Sequence, residues 1–336
     1  MDEQDLARGE PVTITRITTG HSNEVFRVER GDLVAVLRRP PRTPLSPTAH
    51  DMAREFRVLT SFHDPAGWGT HAPVPVPDPI ALCTDTEVIG APFYLMRVVD
   101  GLVVREKVPD ALAGDAGVAR GCGFALMDAL AGIHAFDWQA GGLDGFGRPD
   151  GYLERQVSRW LGQLEKYKTR PLPEVDEAAE WLAGRIPPAQ PPGVIHGDYK
   201  LDNVMLAPNL PVEIVAVVDW EQSTVGDPLV DVGWVLGLWA EAGDAASVAG
   251  VTPFAGRDDV PTRRELLDRY ASDSARDLAN IEYYCVLGLF KLACVMEGSY
   301  ARFKAGTSDD AYFASLEVGV PALARRALEF AHGDVI

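Results

Sequence analysis

The stretch His196-Gly197-Asp198-Tyr199-Lys200-Leu201-Asp202-Asn203 carries residue types suited to group transfer. Asp198 and Asn203 stand five apart, just after the apolar pair Val194-Ile195. Sixteen residues beyond Asn203 comes Asp219, closing the apolar run Ile214-Val215-Ala216-Val217-Val218. Such a run reads as a buried strand, so Asp219 should emerge from the core at the strand's end. Phosphoryl transfer from a nucleotide uses this set of groups. One carboxylate orients the attacking hydroxyl, while an amide oxygen and a second carboxylate hold the metal ions that bridge the phosphates. Asp198 is the candidate base, accepting or orienting the hydroxyl proton. Asn203 and Asp219 are the candidate Mg²⁺ ligands. Magnesium takes hard oxygens, keeps waters and leans on substrate phosphates, so few protein ligands suffice.

Two kinds of element must position these groups. The first ~100 residues read as strand-rich with one helix, from alternation and turn signals. Expected strands cover 12–18, 25–28, 33–38, 80–83 and 93–98, and a helical stripe through Met52, Phe56 and Leu59 runs over 49–62. The turn Gly20-His21-Ser22-Asn23 joins the first two strands. After Asp100-Gly101 the pattern turns helical, at 118–134, 152–167 and 175–185. Beyond the catalytic stretch, helices are expected at about 228–243, 261–271, 276–299 and 308–331, with a surface loop at 244–260. The reading is α+β: a small N-terminal antiparallel sheet lobe with one helix, residues 1–99, and a large mainly helical lobe, residues 100–336.

Composition narrows the partners. Of 336 residues, 46% are hydrophobic and 24% charged, enough apolar content for a sizeable core. The net charge of −18 argues against a nucleic-acid surface. No apolar run reaches the ~20 residues that span a bilayer, and the acidic start Met1-Asp2-Glu3-Gln4-Asp5 lacks a secretory signal's character. A cytoplasmic location without membrane partner is expected. Cys83, Cys122, Cys285 and Cys294 form no C-x-x-C pair and read as reduced thiols.

The eight-residue stretch resembles the catalytic loop of the aminoglycoside phosphotransferase and choline kinase group, relatives of the protein kinases. Asp219-Trp220-Glu221 is similar to the metal-binding Asp-Phe-Gly element, and Asp227-Pro228-x-x-Asp231 follows in the right order. The resemblance covers nearly the whole chain and implies a protein-kinase-like two-lobe fold. It implies an ATP- and Mg²⁺-dependent kinase, with GTP as an alternative donor. It further implies that Asp231 braces the catalytic loop from below, that His196 is architectural, and that Lys200 lies over the γ-phosphate, where protein kinases place a lysine.

The implied nucleotide grip departs from the protein-kinase pattern. Arg38, in Val36-Leu37-Arg38-Arg39, falls where protein kinases carry lysine; arginine can fork onto phosphate oxygens, though the two are not interchangeable. Arg39 should point to the other face by strand alternation. Glu55 resembles the helix glutamate that pairs with that cation. Ser22 and Asn23 stand in place of a glycine-rich loop, with a single glycine. Met96-Arg97-Val98-Val99 resembles the hinge, so backbone groups of Arg97 and Val99 should meet the adenine edge. The pattern Ser22-Asn23, Leu37-Arg38-Arg39-Pro40-Pro41 and His196 to Asn203 is similar to the branch of this family also found fused to acyl-CoA dehydrogenases. That branch implies a small hydroxyacyl or other metabolic hydroxyl substrate. Aminoglycosides are the alternative, with choline and homoserine as further options. A pseudokinase is a reading of another class, supported only by the arginine in place of lysine. An aminoglycoside would require several carboxylates beyond Asp198, because desolvated ammonium groups need partners. The segment Ile281 to Lys291, expected to line that cleft, is aromatic and apolar.

Overall fold

The computed structural model describes residues 6–18, 23–41, 50–241, 244, 253–254, 257–308, 311–333 and 335–336. Five strands form the N-terminal sheet: β1 Thr13–Ile17, β2 Glu24–Arg30, β3 Leu33–Arg39, β4 Pro79–Cys83 and β5 Phe93–Arg97. Their order is β1-β2-β3-β5-β4, and every neighbouring pair is antiparallel. Side chains alternate across such a sheet. Val28, Leu37, Phe93 and Leu95 therefore gather in a small core on one face, while Tyr94 joins the main core. Arg38 lies opposite Val25 and Tyr94, in the interior of the sheet.

Helix α1, Met52–Phe62, lies against β4 and β5. Its start is fixed by Asp51, whose carboxylate accepts from the amides of Ala53 and Arg54, both at 3.1 Å. Met52, Glu55, Val58, Leu59 and Phe62 share its buried face. Glu55 is the acid in that stripe, so it must find a partner inside. A short helix α2, Pro65–Trp68, follows.

The remainder is mainly helical: α3 Asp110–Ala113, α4 Val118–Ala135, α5 Gln156–Leu164, α6 Pro173–Ala183, α7 Leu229–Leu238, α8 Arg263–Ser272, α9 Ile281–Lys304 and α10 Ala311–Ala331. Two small antiparallel pairs sit among them. β6, Gly193–Ile195, pairs with β9, Thr224–Gly226, and β7, Val204–Leu206, pairs with β8, Ile214–Val217. These short strands are what bring the 196–203 loop beside Asp219.

Several boundaries differ from the sequence expectation. The 152–167 segment opens as a 3₁₀ turn, Leu153–Arg155, before α5, and α7 ends at Leu238 rather than 243. Helix α9 begins at Ile281, not 276. The 244–260 segment was expected to be a surface loop, yet Phe254 is buried against Trp239, ring centroids 5.9 Å apart. Asp259 in the same segment accepts the Ala119 amide at 2.8 Å, near the start of α4. Apolar contact and a cap tie these described residues down. All four cysteines are free. Among the described residues no helix is long and apolar enough to cross a membrane.

Helices α7 and α9 approach closely at Gly233. A Cβ there would lie 2.2 Å from the Tyr284 carbonyl carbon, which only backbone movement relieves. Gly233→Ala is expected to destabilise by about 1–3 kcal/mol or more through overpacking. Chemical denaturation checks this; an unchanged midpoint would contradict the packing.

Candidate functional site

The loop following β6 is built around one buried carboxylate. Asp231, on the first turn of α7 and 1% exposed, accepts the amides of His196 at 2.6 Å and Gly197 at 2.9 Å. Burial pushes its carboxyl up, but His134, His196 and the Gly197 amide outweigh that and hold it below the usual range. Gly197 adopts φ +86, and a Cβ there would sit 2.6 Å from the Gln222 carbonyl. Only glycine meets both conditions. His196 accepts the Asp198 amide on Nδ1 at 3.3 Å, so Nε2 carries the proton and donates to the Val218 carbonyl at 3.0 Å. That bond ties the loop to the chain just before Asp219.

Within the loop, Asn203 Nδ2 donates to the Asp198 carbonyl at 2.8 Å and to Asp198 Oδ2 at 3.1 Å. Both partners are acceptors, which fixes the amide so that Oδ1 faces away from them. The Lys200 ammonium lies 3.1 Å from Asp198 Oδ2. Asn203 also accepts the Val218 amide on its backbone carbonyl at 2.9 Å, next to Asp219. Asp219 itself sits at φ 66 and ψ 62, a left-handed conformation that costs energy for a residue with a Cβ. The loop and the β8 end thus bring together Asp198, Lys200, Asn203 and Asp219. Among the described residues, no three His, Cys, Asp or Glu side chains form a metal cage. Asn203 Oδ1 and the Asp219 carboxylate are a sparse hard-oxygen pair, which fits Mg²⁺ held partly by phosphate and water.

Facing them is a charge cluster centred on Arg38. Its Nε lies 2.9 Å from Glu55 Oε2, an ion pair not aligned as a hydrogen bond. Its Nη2 donates to Asp219 Oδ1 and lies 3.7 Å from Glu221 Oε2. Burial alone would lower the guanidinium's affinity for its proton, but Glu55 and Asp219 raise it above its ordinary range. Glu55 also accepts the Tyr94 hydroxyl at 3.1 Å. Burial lifts the Glu55 carboxyl to about 7 despite Arg38, with Asp219 and Glu221 adding to the rise. Three carboxylates share one guanidinium. The cluster is poised to accept one more positive charge.

The remaining predicted residues fall as follows. Asn23 is buried, and its amide donates to Glu221 at 2.8 Å and Glu55 at 3.5 Å. It serves the carboxylate cluster with that group. Ser22 lies outside the described residues. Arg39 points away from Arg38, donating to the Ile89 carbonyl at 3.0 Å. The Arg97 amide is committed to the Asp78 carbonyl at 2.8 Å, so the adenine contact expected there reduces to the Arg97 carbonyl and the groups of Val99. Asp227 accepts from the Leu229 amide at 3.1 Å and the Tyr284 hydroxyl at 2.9 Å, opening α7.

The segment Ile281 to Lys291 is largely core rather than cleft wall, with Tyr283, Tyr284, Cys285 and Val286 buried. Leu287, Gly288, Leu289 and Lys291 do reach cavities. Sequence reasoning missed His50, which lies 3.1 Å from Glu221, and Lys291, which donates to the Gly197 carbonyl at 2.5 Å. The signal for Lys291 was present: a lone cation in an apolar helical run. Nothing in the sequence marked His50.

Residues 13–267 match the model of the Phosphotransferase enzyme family. The chain is 33% identical over 324 residues to acyl-CoA dehydrogenase family member 11 of Gallus gallus, an alignment covering 95% of this chain and 40% of that protein. The chain thus spans well under half of that relative's length. A solved structure of a candidate aminoglycoside phosphotransferase from Ralstonia eutropha superposes with a TM-score of 0.80 at 28% identity, covering 98% of this chain and 97% of that one. A thermostable mutant of the aminoglycoside phosphotransferase APH(4)-Ia, solved with AMP-PNP and hygromycin B, shares the fold with a TM-score of 0.59 at 16% identity, covering 97% and 98%.

The Arg38 cluster makes a stability prediction. Arg38→Met leaves buried carboxylates without their cation, a change that costs about 3–5 kcal/mol. Glu55 holds its proton to about pH 7 when folded, against 4.5 for an ordinary glutamate. A carboxyl with a raised folded value gives stability that is full below its unfolded value and lost as pH rises through the folded one. The Arg38→Met deficit should therefore be smaller at pH 5 than at pH 8 in denaturation curves. An equal or larger deficit at pH 5 would contradict the charge balance described.

Proposed function

Because this chain belongs to the phosphotransferase enzyme family, we propose that it is an ATP- and Mg²⁺-dependent kinase that transfers the γ-phosphoryl group to the hydroxyl of a small molecule, with Asp198 as base. The observation that carries this reading is the joined set Asp198–Asn203 held beside Asp219 and opposite Arg38–Glu55. Bound Mg²⁺ would neutralise the phosphate oxygens and align the γ-phosphorus. Asn203 Oδ1 and Asp219 are the groups to hold it. Asn203 Nδ2 aims the Asp198 carboxylate, which takes the hydroxyl proton as the new P–O bond forms and the bond from the γ-phosphorus to the departing ADP oxygen breaks. Lys200, already at Asp198, is placed to meet γ-phosphate charge. Arg38, once Asp219 has another cation, can turn its fork to phosphate oxygens. Residues 1–99 supply the nucleotide grip, and residues 100–336 the loop and the acceptor site.

The acceptor reading rests on the walls around Asp198. A cleft of about 1160 Å³ runs past Gly197 and is lined by Arg54, Arg148, Arg155, Arg159 and Lys291, with Glu221 and Asp231 as its acids. Asp231 is turned to the loop amides and Glu221 to Asn23 and His50. A basic wall on a chain of net charge −18 suits an acceptor bearing acid groups and opposes a polycationic antibiotic. A second cavity of about 570 Å³ opens from Asp198 and Lys200 between α7, α9 and α10, with Leu238, Leu292, Met296 and Leu323 among its lining. An apolar chain fits there. Together the two walls support a hydroxyacyl-type or related metabolic hydroxyl acceptor.

The test is a panel assay of Mg²⁺- and ATP-dependent ADP release with hydroxyacyl-CoA compounds, free hydroxy acids, homoserine, choline and aminoglycosides. Acid-bearing acceptors should turn over, and Arg159→Glu should raise their KM by about tenfold, a loss of roughly 1.4 kcal/mol of binding. Low-KM turnover of aminoglycosides alone would overturn the acceptor reading. ATP with Mg²⁺ should also stabilise the fold by ~2.7 kcal/mol at a hundredfold excess over Kd, and less without the metal. Absence of any nucleotide-dependent shift would count against the kinase itself. Asp219→Asn should weaken this shift.

A further inference from the structure

Lys291 stands on α9 where the two cavities meet, and it lines both. Its ammonium donates to the Gly197 carbonyl at 2.5 Å. The Trp234 and Trp160 rings lie 4.6 Å and 5.6 Å from its Nζ. Lys291 is half-buried, and aromatic faces and one carbonyl are a thin shell for a cation drawn that far out of water. The bonded carbonyl belongs to the peptide that enters Asp198. The amide at the other end of Gly197 is held by Asp231. Gly197 is therefore gripped on both sides, by a buried anion and a half-buried cation.

Resting on the kinase reading above, we propose that Lys291 is a positioning residue for the base: its ammonium fixes the Gly197–Asp198 peptide and so aims the Asp198 carboxylate. The charged groups facing it come from every element around it. Asp198 and Lys200 face it from the loop, Asp231 from α7 and Arg159 from α5. Arg326 of α10 lines the same cavity but is paired with Asp244 and Glu329. On its own helix, Glu297 is paired with Arg170. Burial lowers the ammonium's value to about 8, Asp198 and Asp231 opposing the fall and Arg159 and Lys200 adding to it. The grip on Gly197 therefore loosens as pH rises through about 8. The charge is a cost to folding, full below about pH 8 and gone by the ordinary lysine value of 10.5.

Full-length Lys291→Met and Lys291→Arg, with the wild type and Asp198→Asn, separate the possibilities. Turnover is read as Mg²⁺- and ATP-dependent ADP release, with water as acceptor where no better one is known. Lys291→Met should stay folded and bind ATP with Mg²⁺ normally while kcat falls roughly ten- to hundredfold, the scale of a misplaced reacting group. The wild-type kcat should decline above about pH 8, and that limb should vanish in both variants, since neither methionine nor arginine titrates there. Lys291→Arg should recover part of the lost kcat. Unchanged kcat in Lys291→Met, or an alkaline limb that persists in it, overturns the proposal. A second readout needs no turnover. In Nζ NMR titrations, the Lys291 midpoint should fall in Asp198→Asn, because a stabilising carboxylate is gone. An unmoved midpoint overturns the proposal, whereas absent turnover with a moved midpoint overturns the kinase reading instead.

Discussion

Asp231 is the constraint on which the site depends. A carboxylate 1% exposed can persist as an anion only if its environment supplies fixed donors, and two consecutive backbone amides, at 2.6 Å and 2.9 Å, do so. His134 adds to this with its Nε2 at 3.6 Å. Those amides belong to His196 and Gly197, so the anion dictates the path of the chain into Asp198. The His196 imidazole then carries the constraint on to Val218, one residue before Asp219. One buried charge on α7 thereby sets the relation between Asp198 and Asp219. The glycine at 197 and the close α7–α9 packing at Gly233 follow from the same requirement, since α7 must be held firmly for its carboxylate to hold anything else.

Around this frame the site carries an unresolved charge balance. Glu55, Asp219 and Glu221 converge on Arg38, and Asn23 and His50 add polar partners to Glu221. Proton uptake by Glu55 is one way to balance the surplus of anion. A divalent cation on Asp219 is another, and it would free Arg38 for phosphate. The substitution of arginine for lysine then has a physical sense: a planar fork can bridge two carboxylates that a point charge cannot.

Much of this was legible in the chain because the signals were local. The spacing from Asp198 to Asn203 and the apolar run before Asp219 identify the loop and the strand end. Alternation along Val36-Leu37-Arg38-Arg39 sends Arg38 inward and Arg39 out. Asp227 and Asp231, four apart, brace a helix start and a loop. What stayed hidden depends on contacts between distant segments. Asn23 looks like a phosphate-turn residue until its amide is found on Glu221, 198 residues away. The Arg97 amide reads as a hinge donor until it is found on the Asp78 carbonyl. Phe254 sits in a stretch that looks like surface and is buried by Trp239. The basic lining of the larger cleft joins Arg54, the group Arg148, Arg155 and Arg159, and Lys291, three segments that only the fold brings together.

Asp198, aimed by Asn203 and held by the Asp231 frame, is the base we propose for transfer to a hydroxyl. Transfer of a radiolabelled γ-phosphoryl group from ATP, in Mg²⁺, to a confirmed acceptor tests this directly when wild type and Asp198→Asn are compared at saturating nucleotide. The account predicts label on the acceptor with the wild type and a loss of about 10²–10⁴-fold in Asp198→Asn, with nucleotide affinity retained. Label transferred to the acceptor at the wild-type rate by Asp198→Asn would contradict it.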